Sequence, residues 1–127
     1  MTTGALIASV GWARFREYEA NALKKLIEPS PRIVLATGGG TVEREDNRSW
    51  LQRTSRCFYL EVPLELLERR MGADPTERPA LEGGGDPVAE LGSVLERREA
   101  LYLSVGERIP CGESSPEQVT AAILARL

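Results

Sequence analysis

Apolar residues mark the first element. Leu6, Ile7, Val10, Ala13, Phe15, Leu23, Leu26 and Ile27 recur at helical spacings between Ala5 and Ile27, which predicts a long helix with one buried side. Pro29-Ser30-Pro31 ends it, because proline neither donates to a helix nor lets its predecessor stay helical. The pattern then changes period. Arg32-Ile33-Val34-Leu35-Ala36 is a short, continuously apolar, β-branched run, the signature of a strand buried on both faces. Thr37-Gly38-Gly39-Gly40 follows, and then a polar helical stretch around Glu43 to Arg53.

Cys57 to Val62 reads as a second strand, and Pro63 suits the first turn of a helix from Leu64 to Met71. Gly72 to Asp86 is polar and broken by glycine and proline, which predicts a long loop. Asp86-Pro87 then opens a helix to about Val105, with Leu91, Val94, Leu95, Leu101 and Tyr102 as its apolar stripe. Arg108 to Cys111 is a weak third strand. Ser115-Pro116-Glu117-Gln118 supplies a cap and a first-turn proline for a last helix carrying Val119, Ile123, Leu124 and Leu127. Strands alternating with helices predict one α/β domain over residues 1–127, a parallel sheet with helices on both faces. Ligands of such sheets sit beyond the carboxyl ends of the strands, where the three glycines lie.

Composition narrows the chemistry. The 127 residues carry a net charge of -3 and a pI near 5.1, which disfavours non-specific nucleic-acid binding. No apolar run has the length of a membrane span and the N-terminus has no signal-peptide pattern, so a cytoplasmic setting is the expectation. The absence of histidine removes histidine triads and histidine metal sites. Cys57 and Cys111 have no metal-type spacing and read as small buried hydrophobes.

Four features carry candidate chemistry. The glycine run bares backbone that a ligand or a side chain can approach closely; a tight strand-to-helix turn would use the same residues. Arg16 and Glu19 share a helix face. They form either a solvated pair or a pair in which Glu19 orients a guanidinium for bidentate binding of a carboxylate. Arg78 lies in the polar loop, where it is either solvated or the single cation of a lid closing over phosphate. Arg97 and Arg98 are adjacent in a helix, so one must point away from the other. One motif is missing from these residues: there is no Gly-x-x-x-x-Gly-Lys-Ser/Thr, and the two lysines, Lys24 and Lys25, follow no glycine loop. Nothing here reads as a cradle for nucleotide phosphates.

The ordered set resembles the shikimate kinase family. The resemblance rests on Gly11 followed by Phe15-Arg16-x-x-Glu19, on Ala36-Thr37-Gly38-Gly39-Gly40-Thr41-Val42, and on Asn47-Arg48. It continues through Phe58-Tyr59-Leu60, Pro63, Leu67-x-x-Arg70, Arg78-Pro79, Arg98-x-x-Leu101-Tyr102 and Ser115-Pro116-Glu117. It implies a P-loop kinase fold related to the nucleoside monophosphate kinases. It also implies ATP- and Mg2+-dependent phosphorylation of the shikimate 3-hydroxyl in aromatic amino acid biosynthesis. By the same resemblance Arg16 and Arg98 grip the shikimate carboxylate, and Gly38, Gly39 and Gly40 meet the ring hydroxyls. Arg78 neutralises phosphate charge. The family's first strand, P-loop and second strand have no counterpart, Trp12 stands where an acidic residue is usual, and Gly112 to Ser115 lack a frequent arginine. The expectation is a chain that is catalytically incomplete alone and awaits an N-terminal segment or partner chain; the alternative is a non-catalytic module binding shikimate or a similar hydroxy-carboxylate.

Overall fold

The computed structural model describes residues 1–29, 32–74 and 85–127. Its elements are α1 (Thr3–Ile27), a 3-10 turn (Thr41–Glu43), α2 (Glu45–Thr54), β1 (Phe58–Glu61), α3 (Leu64–Ala73), α4 (Pro87–Val105), β2 (Glu107–Pro110) and α5 (Pro116–Leu124). Helix ends follow the sequence chemistry. The Asp86 side chain accepts from the Val88 N–H to start α4, with Pro87 in its first turn. Ser115 and Gln118 close a reciprocal capping box on α5, so two otherwise orphaned backbone donors are satisfied.

α1 contains a break that the apolar spacing does not reveal. Gly11 has φ +81° and ψ 162°, which divides the helix into two segments. Only glycine takes such a φ without strain. Trp12, Phe15 and Arg16 all lie in the segment after the break.

β1 and β2 form a parallel pair with Phe58 opposite Glu107 and Leu60 opposite Ile109. α3 and α4 make the crossover between them, as parallel strands require. The buried apolar residues include Ile109, 1% exposed, Val94, Leu51, Leu23 and Leu66. α4 packs on α2, α3, β1 and the 3-10 turn, and the Tyr59 and Tyr102 rings stack at 5.0 Å. The amide of Gln52 on α2 donates to the Ser104 carbonyl of α4 at 2.7 Å.

One predicted element is corrected. Residues 33–38 form no ladder, and Ile33, Val34 and Leu35 are exposed rather than buried on both faces, Val34 completely. The reason is cooperative: an apolar run becomes a strand only where neighbours supply hydrogen bonds and cover, and no described residue pairs with this one. A cavity of about 1690 Å³ separates it from β1, lined among others by Val34, Ala36, Tyr59, Leu60, Leu91 and Val94. The sheet among the described residues is therefore two-stranded. Parallel pairing and the helix-strand alternation are as expected.

α2 has its own local charge clamp. Arg44 closes two 2.9 Å hydrogen bonds on the Asp46 carboxylate, which also accepts from the Asn47 N–H at 3.0 Å. Hydrogen bonding by the Arg44 guanidinium holds Asp46 at about 2, below its usual 3.8. A depressed carboxylate pKa means stabilisation that is complete above the unfolded value and lost as pH falls through the folded one. The side chain is 44% exposed, so solvent screening limits the effect to about 0.5 kcal/mol. Asp46→Asn is expected to lose about that much at pH 7 and to flatten the stability profile between pH 3.8 and about 2. Urea unfolding across that range would measure it, and an unchanged acid limb would refute the assignment.

Candidate functional site

The site is assembled around Gly38-Gly39-Gly40. The glycine run leads into the 3-10 turn, with the Thr41 N–H donating to the Gly38 carbonyl and the Glu43 N–H to the Gly40 carbonyl, both at 3.1 Å. Asn47 and Arg48 fasten this turn to α2. The Asn47 amide, 1% exposed, donates to the Thr41 carbonyl at 2.9 Å, and Arg48 Nη1 donates to the carbonyls of Val42 and Glu43 at 2.7 and 3.1 Å. A polar pair that looks like helix surface in the sequence is thus what shapes the turn.

Side chains from two helices close on the bared backbone. A methyl group at Gly40 would fall inside the Arg16 guanidinium, and one at Gly38 would lie 2.6 Å from Glu19 Oε1. Tyr102 donates its hydroxyl to the Gly39 carbonyl at 2.7 Å. The run is a tight turn, and its lack of Cβ atoms is what admits Arg16 and Glu19.

Arg16 and Glu19 face the same side of α1 and pair at 2.9 Å, with only 16% and 17% of their side chains exposed. This is a sheltered pair and not the solvated one. Trp12 and Phe15 flank the guanidinium, its Cζ 4.9 and 5.7 Å from their ring centroids, and the two rings meet edge to face. An aromatic face holds a planar guanidinium in place.

Arg98 arrives from α4. It occupies the helix stripe that carries Val94 and Tyr102 four residues to either side, and its side chain is 8% exposed. Arg97 points the other way and is exposed. Arg98 Nε donates to Glu43 Oε1 at 2.8 Å, and Arg16 Nη2 lies 3.5 Å from Glu43 Oε2. Arg16, Arg98, Glu19 and the three glycines, singled out separately in the sequence, thus form one cluster. The sequence reading missed Glu43 and Tyr102. Tyr102 reads from the sequence as part of the apolar stripe and of the Arg98-x-x-Leu101-Tyr102 motif, without a role at the site, and nothing in the local pattern of Thr41-Val42-Glu43 signals a partner on α4. Arg78 lies outside the described residues.

The cluster is open on one side: Gly38, Gly39, Arg98 and Tyr102 line the large cavity. A ligand entering there meets the Arg98 guanidinium, a glycine backbone and a phenol, a set suited to an anionic, hydroxyl-bearing molecule. Burial pushes the thiols of Cys57 and Cys111 up, which makes them poor nucleophiles. Burial likewise raises the Tyr59 phenol, with help from Glu99 and Glu61.

Among the described residues, phosphate and metal chemistry finds no comparable arrangement. Lys24 and Lys25 lie in the last turn of α1, away from the glycine turn in sequence and without a loop to present them. Among the described residues no group of three or more His, Cys, Asp or Glu side chains is placed to hold a metal ion. The residues described do not fit a nucleotide's phosphates or a Mg2+ ion.

Comparison with known proteins places the chain among named relatives. The family model described as shikimate kinase matches residues 1–127. "Shikimate kinase 2" of Serratia proteamaculans is 37% identical over 130 residues, covering all of this chain and 72% of the relative. The protein of the same name from Syntrophotalea carbinolica is 36% identical over 129 residues, covering all of this chain and 73% of its own length. The crystal structure of shikimate kinase from Bacteroides thetaiotaomicron superposes with a TM-score of 0.80 at 28% identity, over 98% of this chain and 72% of that one. With the α/β kinase fold shared with a solved relative and the family model matched over residues 1–127, the chain belongs to the shikimate kinase family.

Proposed function

We propose that these residues form the shikimate-binding half of a shikimate kinase. Arg16 and Arg98 bind the shikimate carboxylate, Glu19 orients Arg16, and Gly38 to Gly40 lie against the ring hydroxyls. The observation that carries this reading is the convergence of two sheltered guanidinium groups, from α1 and α4, on a single carboxylate beside the glycine turn. Two charged donors fixed in advance bind a carboxylate with little ordering cost.

The family's reaction uses ATP and Mg2+, and its transition state is stabilised by positioned positive charge around the transferred phosphoryl group. Arg78 is proposed as one such charge, by its match to the family's Arg-Pro pair. The remaining phosphate-binding groups have no equivalent among the residues described. The 127-residue chain alone is therefore expected to bind shikimate without phosphorylating it, and the non-catalytic binding module stays the second reading on the same grounds.

Titration of shikimate into the purified chain, followed by tryptophan fluorescence, tests the proposal, because Trp12 stacks on Arg16. Saturable quenching or enhancement is the expected result. A cooperatively folded sample that shows no binding would refute it. ADP release that depends on shikimate would overturn the expectation of an inactive isolated chain.

A further inference from the structure

Glu43 occupies the place between Arg16 and Arg98 that an incoming carboxylate would need. Its two oxygens divide between the two guanidinium groups, Oε1 to Arg98 at 2.8 Å and Oε2 to Arg16 at 3.5 Å. Each arginine is largely sheltered, at 8% and 16%, whereas the Glu43 side chain is 33% exposed and is the member of the trio with a path to water. Its backbone is pinned, since the N–H donates to the Gly40 carbonyl and the carbonyl accepts from Arg48. The carboxylate can therefore leave by side-chain rotation alone, between staggered rotamers, without disturbing the turn.

Charge counting gives this movement a consequence. Arg16 and Arg98 are balanced by Glu19 and Glu43, so the cluster as it stands is neutral and exerts no net pull on an anion. With Glu43 swung into solvent the cluster carries one uncompensated positive charge, the complement of one carboxylate. A neutral ester or amide offers no charge to replace Glu43 and leaves the internal pair intact.

We propose that Glu43 is an internal counter-ion that stands in for the substrate carboxylate, and that its displacement sets both the affinity and the preference for charged ligands. This rests on the reading that Arg16 and Arg98 take the shikimate carboxylate. The exchange is a competition: shikimate must outbid an ion pair already in place, so removing the Glu43 charge strengthens binding of the acid and does nothing for its methyl ester.

The test is calorimetric titration of shikimate and methyl shikimate into the wild-type chain, Glu43→Gln, Glu43→Asp and Arg98→Ala, with a thermal melt of each. Glu43→Gln is expected to bind shikimate about ten-fold more tightly than wild type, with the ester unchanged. Its ligand-free melting temperature should fall and should recover when shikimate is added. Glu43→Asp keeps the charge but reaches only one arginine, so it should fall between the two and serves if Glu43→Gln does not fold. Weaker or unaltered shikimate binding in a folded Glu43→Gln, or no binding in both it and wild type, overturns the proposal and would make Glu43 a brace for the arginines. Arg98→Ala separates the two claims. If it binds shikimate as wild type does, the carboxylate assignment fails; if it loses binding while Glu43→Gln gains none, only the counter-ion role fails.

Discussion

Arg98→Ala is expected to lower shikimate affinity by at least about 100-fold, the largest loss at any single position. The guanidinium is fixed by its helix, enclosed by neighbours on the Val94–Tyr102 stripe and 8% exposed, so it is pre-positioned rather than recruited. A charge-assisted, two-donor contact to a carboxylate contributes about 3 kcal/mol, which is the factor of 100. Arg98→Lys should not restore it, because an ammonium lacks the planar pair of donors and its stem cannot place charge at both Nε and Nη. The truncation also leaves Glu43 with Arg16 alone at 3.5 Å, so the melting temperature should fall as well. Calorimetry on both variants measures the effect, and affinity within three-fold of wild type for Arg98→Ala would sink the assignment.

Gly40→Ala is expected to be nearly as damaging without touching a charged group. Gly40 is buried, and its new methyl would occupy the position of the Arg16 guanidinium. Overfilling a packed site costs about 1–3 kcal/mol, and the displaced guanidinium gives up its contacts with Glu19, Glu43 and Trp12 together. Affinity should drop by about 10- to 100-fold, on the scale of one lost charge-assisted contact. The cause can be isolated. In an Arg16→Ala background the clash disappears, so Gly40→Ala should then cost almost nothing in stability, a strongly non-additive cycle. Gly72 in α3 is the control. A methyl there meets nothing within 4 Å, and Gly72→Ala should stabilise the chain by about 0.5–1 kcal/mol. Additive behaviour at Gly40 and Arg16 would exclude a steric mechanism.

The elements read best from the sequence are those whose ends are set by neighbouring residues. α4 starts at Asp86-Pro87 and α5 at Ser115-Pro116 because a cap and a first-turn proline act over three or four residues, which is the range a local pattern covers. Arg98 is legible only through the Arg98-x-x-Leu101-Tyr102 motif, since helical spacing alone leaves open which of Arg97 and Arg98 turns inward. The Ile33–Ala36 run misleads because strand formation is decided by what lies alongside, and the apolar composition records only suitability for pairing. Gly11 is opaque in a different way: a glycine within a helical pattern reads as a tolerated interruption, and its positive φ leaves no mark on the apolar spacing around it. Glu43 meets Arg98 only after α2, β1 and α3 have brought α4 back over the turn, so no spacing within a single element announces the pair.

The bare run from Ile33 to Ala36 has a practical consequence for handling the protein. An extended, uncharged, apolar window that pairs with no described residue is a template for intermolecular strand addition. Solubility at high concentration should then depend on these four residues more than on the overall charge of -3. Val34 is fully exposed among the described residues, so in the 127-residue chain by itself a lysine placed there should act as a gatekeeper against aggregation while leaving the melting temperature where it was.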